Sequence, residues 1–283
     1  MNTITEKMLQ ANTDDFGDES QRLREAMQQI ALAGLYRGGF FSKAAFYGGT
    51  CLRMFHGLPR LSEDMDFSLL ECDPLFQVEA YFPQVIEEFR SLGIEVDIRR
   101  KKKNATTAIE SAFLKSDTAL YHVGLVSNAA VRIKLEVDTQ PPGGFLTENR
   151  VSILPFSFMT RCYELPYLYA GKMHALLFRR WKTRVKGRDW FDFEWYVKNG
   201  IELSFDHFQE RMRQSDPEGT AIHSFDDLRE ALTKRIATVD FKAAKKDVAP
   251  FIKDTSGLDI WSAEYFNALV ALIRFLPSES QNG

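Results

Sequence analysis

The chain has 283 residues, 45% hydrophobic and 27% charged, with a formal net charge of -3 and a pI near 6.0. That balance suits a globular protein of one large or two modest domains and excludes nucleic-acid binding driven by overall charge. With no basic-then-apolar leader, no apolar run of ~18 residues and no paired spacing among Cys51, Cys72 and Cys162, it predicts a cytoplasmic protein without membrane span, disulfide or zinc site.

Residues 1–18 are polar and read as a short helix or arm. From Ser20 to Tyr36, apolar residues Leu23, Met27, Ile30, Ala31 and Leu35 recur at three and four, predicting an amphipathic helix that stops at Arg37-Gly38-Gly39. Ala44 to Tyr47 is a short strand delivering a Gly48-Gly49 turn. Thr50 to His56 then reads as helix, with Leu52 and Phe55 inward and Arg53 free to point elsewhere. Met65 to Leu70 is a strand, and Leu75 to Leu92 a helix closed by Gly93. Ile94 to Arg100 alternates as a half-buried strand, and weaker strands are expected over Thr106 to Lys115 and Ala119 to Gly124. The cleanest alternation puts Val131, Ile133, Leu135 and Val137 on one face and Arg132, Lys134, Glu136 and Asp138 on the other. After the loop Pro141-Pro142-Gly143-Gly144 and a change of character over Val151 to Phe158, residues 164–276 read as almost wholly helical. Tyr167 to Trp181 and Asp189 to Val197 are its first helices, with others near 205–214, 223–238, 241–253 and 261–276. The predicted fold class is α+β: a mixed sheet with flanking helices over residues 1–160, then a helical half over 161–283.

Chemistry concentrates in a few places. Asp64-Met65-Asp66 on a strand sends both carboxylates to one face, because side chains alternate with period two. Alone, that pattern is a solvated strand edge. Behind a Gly48-Gly49 turn, where the backbone can approach a phosphate, it becomes a site for a nucleotide and Mg²⁺, which favours carboxylate and phosphate oxygens. Glu136 or Asp138 supplies a third carboxylate, with Glu136 preferred for its apolar flanks; otherwise these residues pair with Arg132 and Lys134. Lys172, in an apolar helical stretch, either snorkels or offers a point charge to phosphates. Arg179, Arg180, Lys182, Arg184, Lys186 and Arg188 surround Trp181, either as a solvated loop or as a nucleic-acid-binding patch. Asp189 and Asp192 open the next helix, where Asp189 is a cap, a first-turn acid, a base or a partner of Lys172. No histidine has metal-ligand spacing, and no Walker A or dinucleotide-binding glycine pattern is present.

Gly48-Gly49-Thr50-Cys51-Leu52-Arg53, followed by Arg60-Leu61-Ser62-Glu63-Asp64-Met65-Asp66-Phe67, resembles the AbiEii-type nucleotidyltransferase toxins of the polymerase-β superfamily, effectors of type IV toxin–antitoxin systems. Gly171-Lys172-Met173-His174-Ala175 and Arg188-Asp189-Trp190-Phe191-Asp192 resemble that family's later lysine and Arg-Asp-x-x-Asp motifs. The resemblance implies a nucleotidyltransferase domain over residues 1–160 and a helical domain over 161–283 that completes the active-site cleft. It implies transfer of a nucleotide, dependent on Mg²⁺ or Mn²⁺, from a nucleoside triphosphate to the tRNA 3′ end, blocking translation beside a cognate antitoxin. Carried over by residue, Gly48, Gly49, Thr50, Arg53, Ser62 and Lys172 contact the nucleotide; Asp64, Asp66 and Glu136 hold metal. Asp189 is the further catalytic acid, and Arg179, Arg180, Lys182, Arg184 and Lys186 face RNA. Two other readings stay open: transfer onto protein side chains, and nucleotide binding without catalysis.

Overall fold

The structure, a computed structural model, describes residues 7–8, 19–100, 118–125, 132–179, 185–215 and 222–277. The expected strand over Thr106 to Lys115 and the arm over 1–18, apart from Lys7 and Met8, lie outside the described residues. The chain divides into two compact units, one of residues 1–141 and 147–163, the other of 142–146 and 164–283.

The first unit is built on a seven-stranded mixed sheet. Its strands are β1 (Ala44–Tyr47), β2 (Asp64–Leu69), β3 (Val96–Arg100), β4 (Thr118–Leu125), β5 (Arg132–Asp138), β6 (Thr147–Ser152) and β7 (Phe158–Tyr163). They lie in the order β3-β4-β5-β2-β1-β7-β6. β2 runs parallel to β5 and β1 parallel to β7, while the other neighbours are antiparallel. The helices described with it include α1 (Glu19–Arg37), α2 (Gly48–His56) and α3 (Phe82–Ser91). Met27, Ile30, Ala31 and Leu35 of α1 are buried, as the periodicity predicts. Gly34 lets α1 close on α3: a β-carbon there would lie 2.6 Å from the Val85 Cα. Phe67 packs edge-on to Phe40 at 5.2 Å and stacks on Phe46 at 5.0 Å, anchoring β2 in the core.

Two expected elements of the first unit differ from the structure, and one strand pair was not expected. The helix read over Leu75 to Leu92 is a 3₁₀ turn at Val78–Tyr81 and then α3 from Phe82. Pro83 suits the first turn of α3, whereas Asp73 Oδ1 accepts the Leu75 N–H at 3.0 Å in a turn that leaves Leu75 86% exposed. Gly48 and Gly49 do not precede a helix; they are its first two residues. The hairpin β6–β7 was not expected, because the β6 sequence TENRVS is polar apart from Val151 and gives no hydrophobic period.

The second unit is largely helical: α4 (Leu165–Phe178), α5 (Gly187–Lys198), α6 (Phe205–Ser215), α7 (Phe225–Ile236), α8 (Phe241–Val248) and α9 (Ala263–Ala271). The helix expected to reach residue 276 ends at Ala271, and Arg274–Phe275 instead forms a short parallel pair with Glu202–Leu203. Aromatic rings tie the helices together. Tyr169 of α4 stacks on Tyr196 of α5 at 4.3 Å, and Phe266 of α9 touches Trp190, Phe193 and Phe241. Gly187 admits the closest approach: a β-carbon there would sit 1.9 Å from the Ala244 carbonyl oxygen of α8.

Candidate active site

Parallel pairing of β2 with β5 assembles the acidic cluster. The register places Asp64 opposite Lys134 and Asp66 opposite Glu136, so all four side chains rise from one face of adjacent strands. Asp138 is one step along, opposite Ser68; it is buried and accepts the Gln140 N–H at 3.1 Å. Glu136 is therefore the carboxylate brought beside Asp66. Burial, then the charges of Glu136 and Asp64, push the Asp66 carboxyl up to about 7, with Lys134 opposing them. Lys134 Nζ lies 3.0 Å from Glu136 Oε1 and 3.5 Å from Asp64 Oδ2. Burial pulls the Lys134 ammonium down, but the Glu136 and Asp64 charges outweigh it and leave its pKa raised.

The start of α2 lies directly against this cluster. Gly48 has φ +83°, and a β-carbon there would fall 2.5 Å from Asp66 Oδ2. Only glycine accepts both the left-handed backbone and that approach. A β-carbon at Gly49 would lie 2.6 Å from an Arg60 nitrogen and 3.0 Å from Ser62 Oγ. The helix thus opens with bare backbone and no side-chain cap, so its first-turn N–H groups suit phosphate oxygens.

The other predicted nucleotide contacts are engaged inside the protein. Thr50 is fully buried; its hydroxyl donates to the Asp64 carbonyl and lies 2.9 Å from the Ser62 hydroxyl. Together they pin the first turn of α2 to the entry of β2. Arg53, read as free, is paired through Nε with Glu25 of α1 at 2.9 Å. Sequence reasoning assigned no site role to Arg60, which is buried and donates to the Leu61 carbonyl at 2.9 Å. It also passed over Gln28 of α1, whose amide donates to the Ser62 and Glu63 carbonyls at 3.2 and 3.0 Å. Neither residue lies in a spacing pattern that would have revealed it.

In the second unit, Lys172 of α4 lies between two acids of α5. Its ammonium is 2.7 Å from Asp189 Oδ1 and 2.7 Å from Asp192 Oδ2. Asp189 stands in the first turn of α5, and the cap position belongs to Lys186. Burial pushes the Asp189 carboxyl up, yet Lys172, Lys186 and Arg179 outweigh it and hold it well below the usual carboxylate range. Arg179 reaches Asp189 Oδ2 at 3.7 Å. Lys186 is pulled down to about 8, by burial first, with Arg179, Lys172 and Arg188 adding and Asp189 opposing. The Arg188 guanidinium lies 4.1 Å from the centre of the Phe251 ring. Of the predicted RNA-facing residues, Arg180, Lys182 and Arg184 lie outside the described residues.

A profile of the AbiEii toxin nucleotidyltransferases of type IV toxin–antitoxin systems matches residues 30–271. The chain belongs to this family. Its members are nucleotidyltransferases, which use a nucleoside triphosphate and a divalent metal, and their two-component system implies an antitoxin partner. The chain shares its fold with JHP933 from Helicobacter pylori, at 18% identity and a TM-score of 0.51 over 90% of this chain and 92% of that one. A candidate nucleotidyltransferase from H. pylori also matches, at 17% identity and a TM-score of 0.49 over 91% and 95% of the two chains. No curated protein matches.

The acidic cluster suits the family's metal by its donors. Among the described residues, no three acidic, histidine or cysteine side chains are already gathered as a cage. Mg²⁺ needs none, since it keeps several waters and takes one or two carboxylates plus substrate phosphates. Asp64 and Asp66 on one face, Glu136 opposite Asp66 and the bare backbone at Gly48 match that demand. No helix of the described residues is long and apolar enough to cross a membrane.

Proposed function

We propose that this AbiEii-family chain transfers a nucleotide from a nucleoside triphosphate to the 3′ end of tRNA, with Mg²⁺ held by Asp64, Asp66 and Glu136. The observation that carries the reading is Asp66: its carboxylate stands beside Glu136 on the neighbouring strand and against the backbone of Gly48 at the start of α2. A triphosphate accepted by the first-turn N–H groups of α2 would present its α-phosphate to the carboxylates. When bound, Mg²⁺ supplies charge neutralisation at the phosphates and the departing pyrophosphate.

The protein's own groups do the rest. Gly48 and Gly49 let the bare backbone of that turn lie against Asp66, Arg60 and Ser62, while Thr50 and Ser62 keep it fixed to β2. One carboxylate of the cluster accepts the proton of the attacking 3′ hydroxyl. In the second unit, Lys172, oriented by Asp189 and Asp192, offers phosphates a point charge. Arg179, Arg180, Lys182, Arg184 and Lys186 contact the RNA backbone, which reconciles an acidic chain with a nucleic-acid acceptor.

The test is incubation with each α-labelled triphosphate and Mg²⁺, with total tRNA in one arm and total protein in the other. Label on tRNA, lost when the 3′ end is oxidised, is the expected result. Label on protein alone, or triphosphate binding without transfer, would replace this reading with one of the other two.

A further inference from the structure

We propose that Lys134 is the resident cation of the acidic cluster, holding its carboxylates together until a divalent ion takes over and the lysine gives up those contacts. The proposal rests on the reading that Asp64, Asp66 and Glu136 hold the metal. Lys134 stands two residues before Glu136 on the same face of β5 and directly opposite Asp64. Its ammonium already neutralises Glu136 at 3.0 Å and Asp64 at 3.5 Å. Without it, three carboxylates within one register step would face each other and lose the cation that now pairs with two of them. The same oxygens cannot serve both partners equally well, because a dication and an ammonium within a few ångströms repel strongly. Lys134 can also leave: its side chain is 29% exposed and ends a flexible four-carbon stem. Metal binding and the lysine contacts are therefore negatively coupled, and by linkage each weakens the other. The device would keep the metal-free protein folded and raise the metal concentration at which the site loads.

The experiment titrates Mn²⁺ against nucleotide-free protein, reading free Mn²⁺ by electron paramagnetic resonance. Lys134→Met, which keeps the stem and removes the charge, should bind Mn²⁺ about tenfold more tightly while its metal-free melting temperature falls. A merely structural lysine would lower the melting temperature without tightening metal binding. The Asp64→Asn, Asp66→Asn double variant should lose the tight site, assigning it to the cluster. In the wild-type chain, saturating Mn²⁺ should increase reductive methylation of Lys134, measured by mass spectrometry; this arm decides the matter if Lys134→Met does not fold. Equal or weaker Mn²⁺ binding by a folded Lys134→Met, or unchanged methylation of Lys134, would overturn the proposal alone. Absence of Mn²⁺ binding in both proteins would overturn it together with the metal reading.

Discussion

Replacing Asp64 or Asp66 by Asn keeps the side chain's shape and removes its charge. For either variant, transfer of labelled nucleotide should fall by about 10³-fold, the scale of losing one transition-state electrostatic partner. Asp66→Asn should not lower the melting temperature, because burial and the neighbouring Glu136 and Asp64 already disfavour the charge it removes. An Asp66→Asn protein that melted well below wild type would contradict this account of the cluster. Lys172 is the opposite case. Asp189 and Asp192 are almost fully buried, and both use its ammonium. Lys172→Met would leave two buried acids short of a cation, which should cost about 3 kcal/mol in urea denaturation. Asp189→Asn should cost less, since Lys172 keeps Asp192. The order of these two costs is the checkable point.

At the scale of elements, the start of α2 is the sensitive piece. Gly48→Ala adds a methyl 2.5 Å from Asp66 Oδ2 on a backbone with φ +83°. It should lower stability by about 1–2 kcal/mol and, by displacing Asp66, reduce transfer more than that loss of folded protein explains. Thermal melts alongside initial rates would separate the two effects. The sequence was informative about this element and its neighbours where the signal was local. Leu35 and Met27 mark the buried face of α1, and the alternation around Ile133 and Leu135 marks β5. It misled where non-local partners decide. Leu75 looks like part of a helix but stands exposed in a turn, and β6, a polar strand, exists because β7 offers it a ladder.

Across the whole molecule, two buried histidines make stability depend on pH. His56, in the first unit, is pulled down to about 4 by burial, with Arg150 adding and Glu148 opposing. His207, in the second, is pulled down to about 3 by burial and then Arg211, with only the Gly143 carbonyl, 3.1 Å from Nδ1, opposing. Both folded values lie below the usual 6.5, so from about pH 6 downward the unfolded chain binds protons that the folded chain refuses. Each histidine should then cost about 1.4 kcal/mol per pH unit until its own folded value is reached. Asp66 works the other way, since its raised carboxyl takes up a proton in the folded chain first, so urea midpoints measured from pH 7 to pH 5 should fall by the two histidines' share less that of Asp66, and His207→Gln should shed one proton's share of that slope. A slope identical to wild type would show that His207 is not held neutral.

By itself the sequence determined that Asp64 and Asp66 share a strand face, that glycines precede them, and that Lys172 and Asp189 lie on successive helices. Each follows from spacing of a few residues, which chain geometry converts directly into direction. Only the tertiary structure decided that Glu136, rather than Asp138, stands beside Asp66 and that Lys134 lies among the carboxylates. It also decided that Thr50 and Arg53 are held by Asp64 and Glu25. Those facts depend on strand register and on helix packing between segments 14 to 70 residues apart. Local pattern carries no term for register: β2 and β5 could each keep their alternation in any even shift, and core packing alone selects the one that faces Asp66 with Glu136.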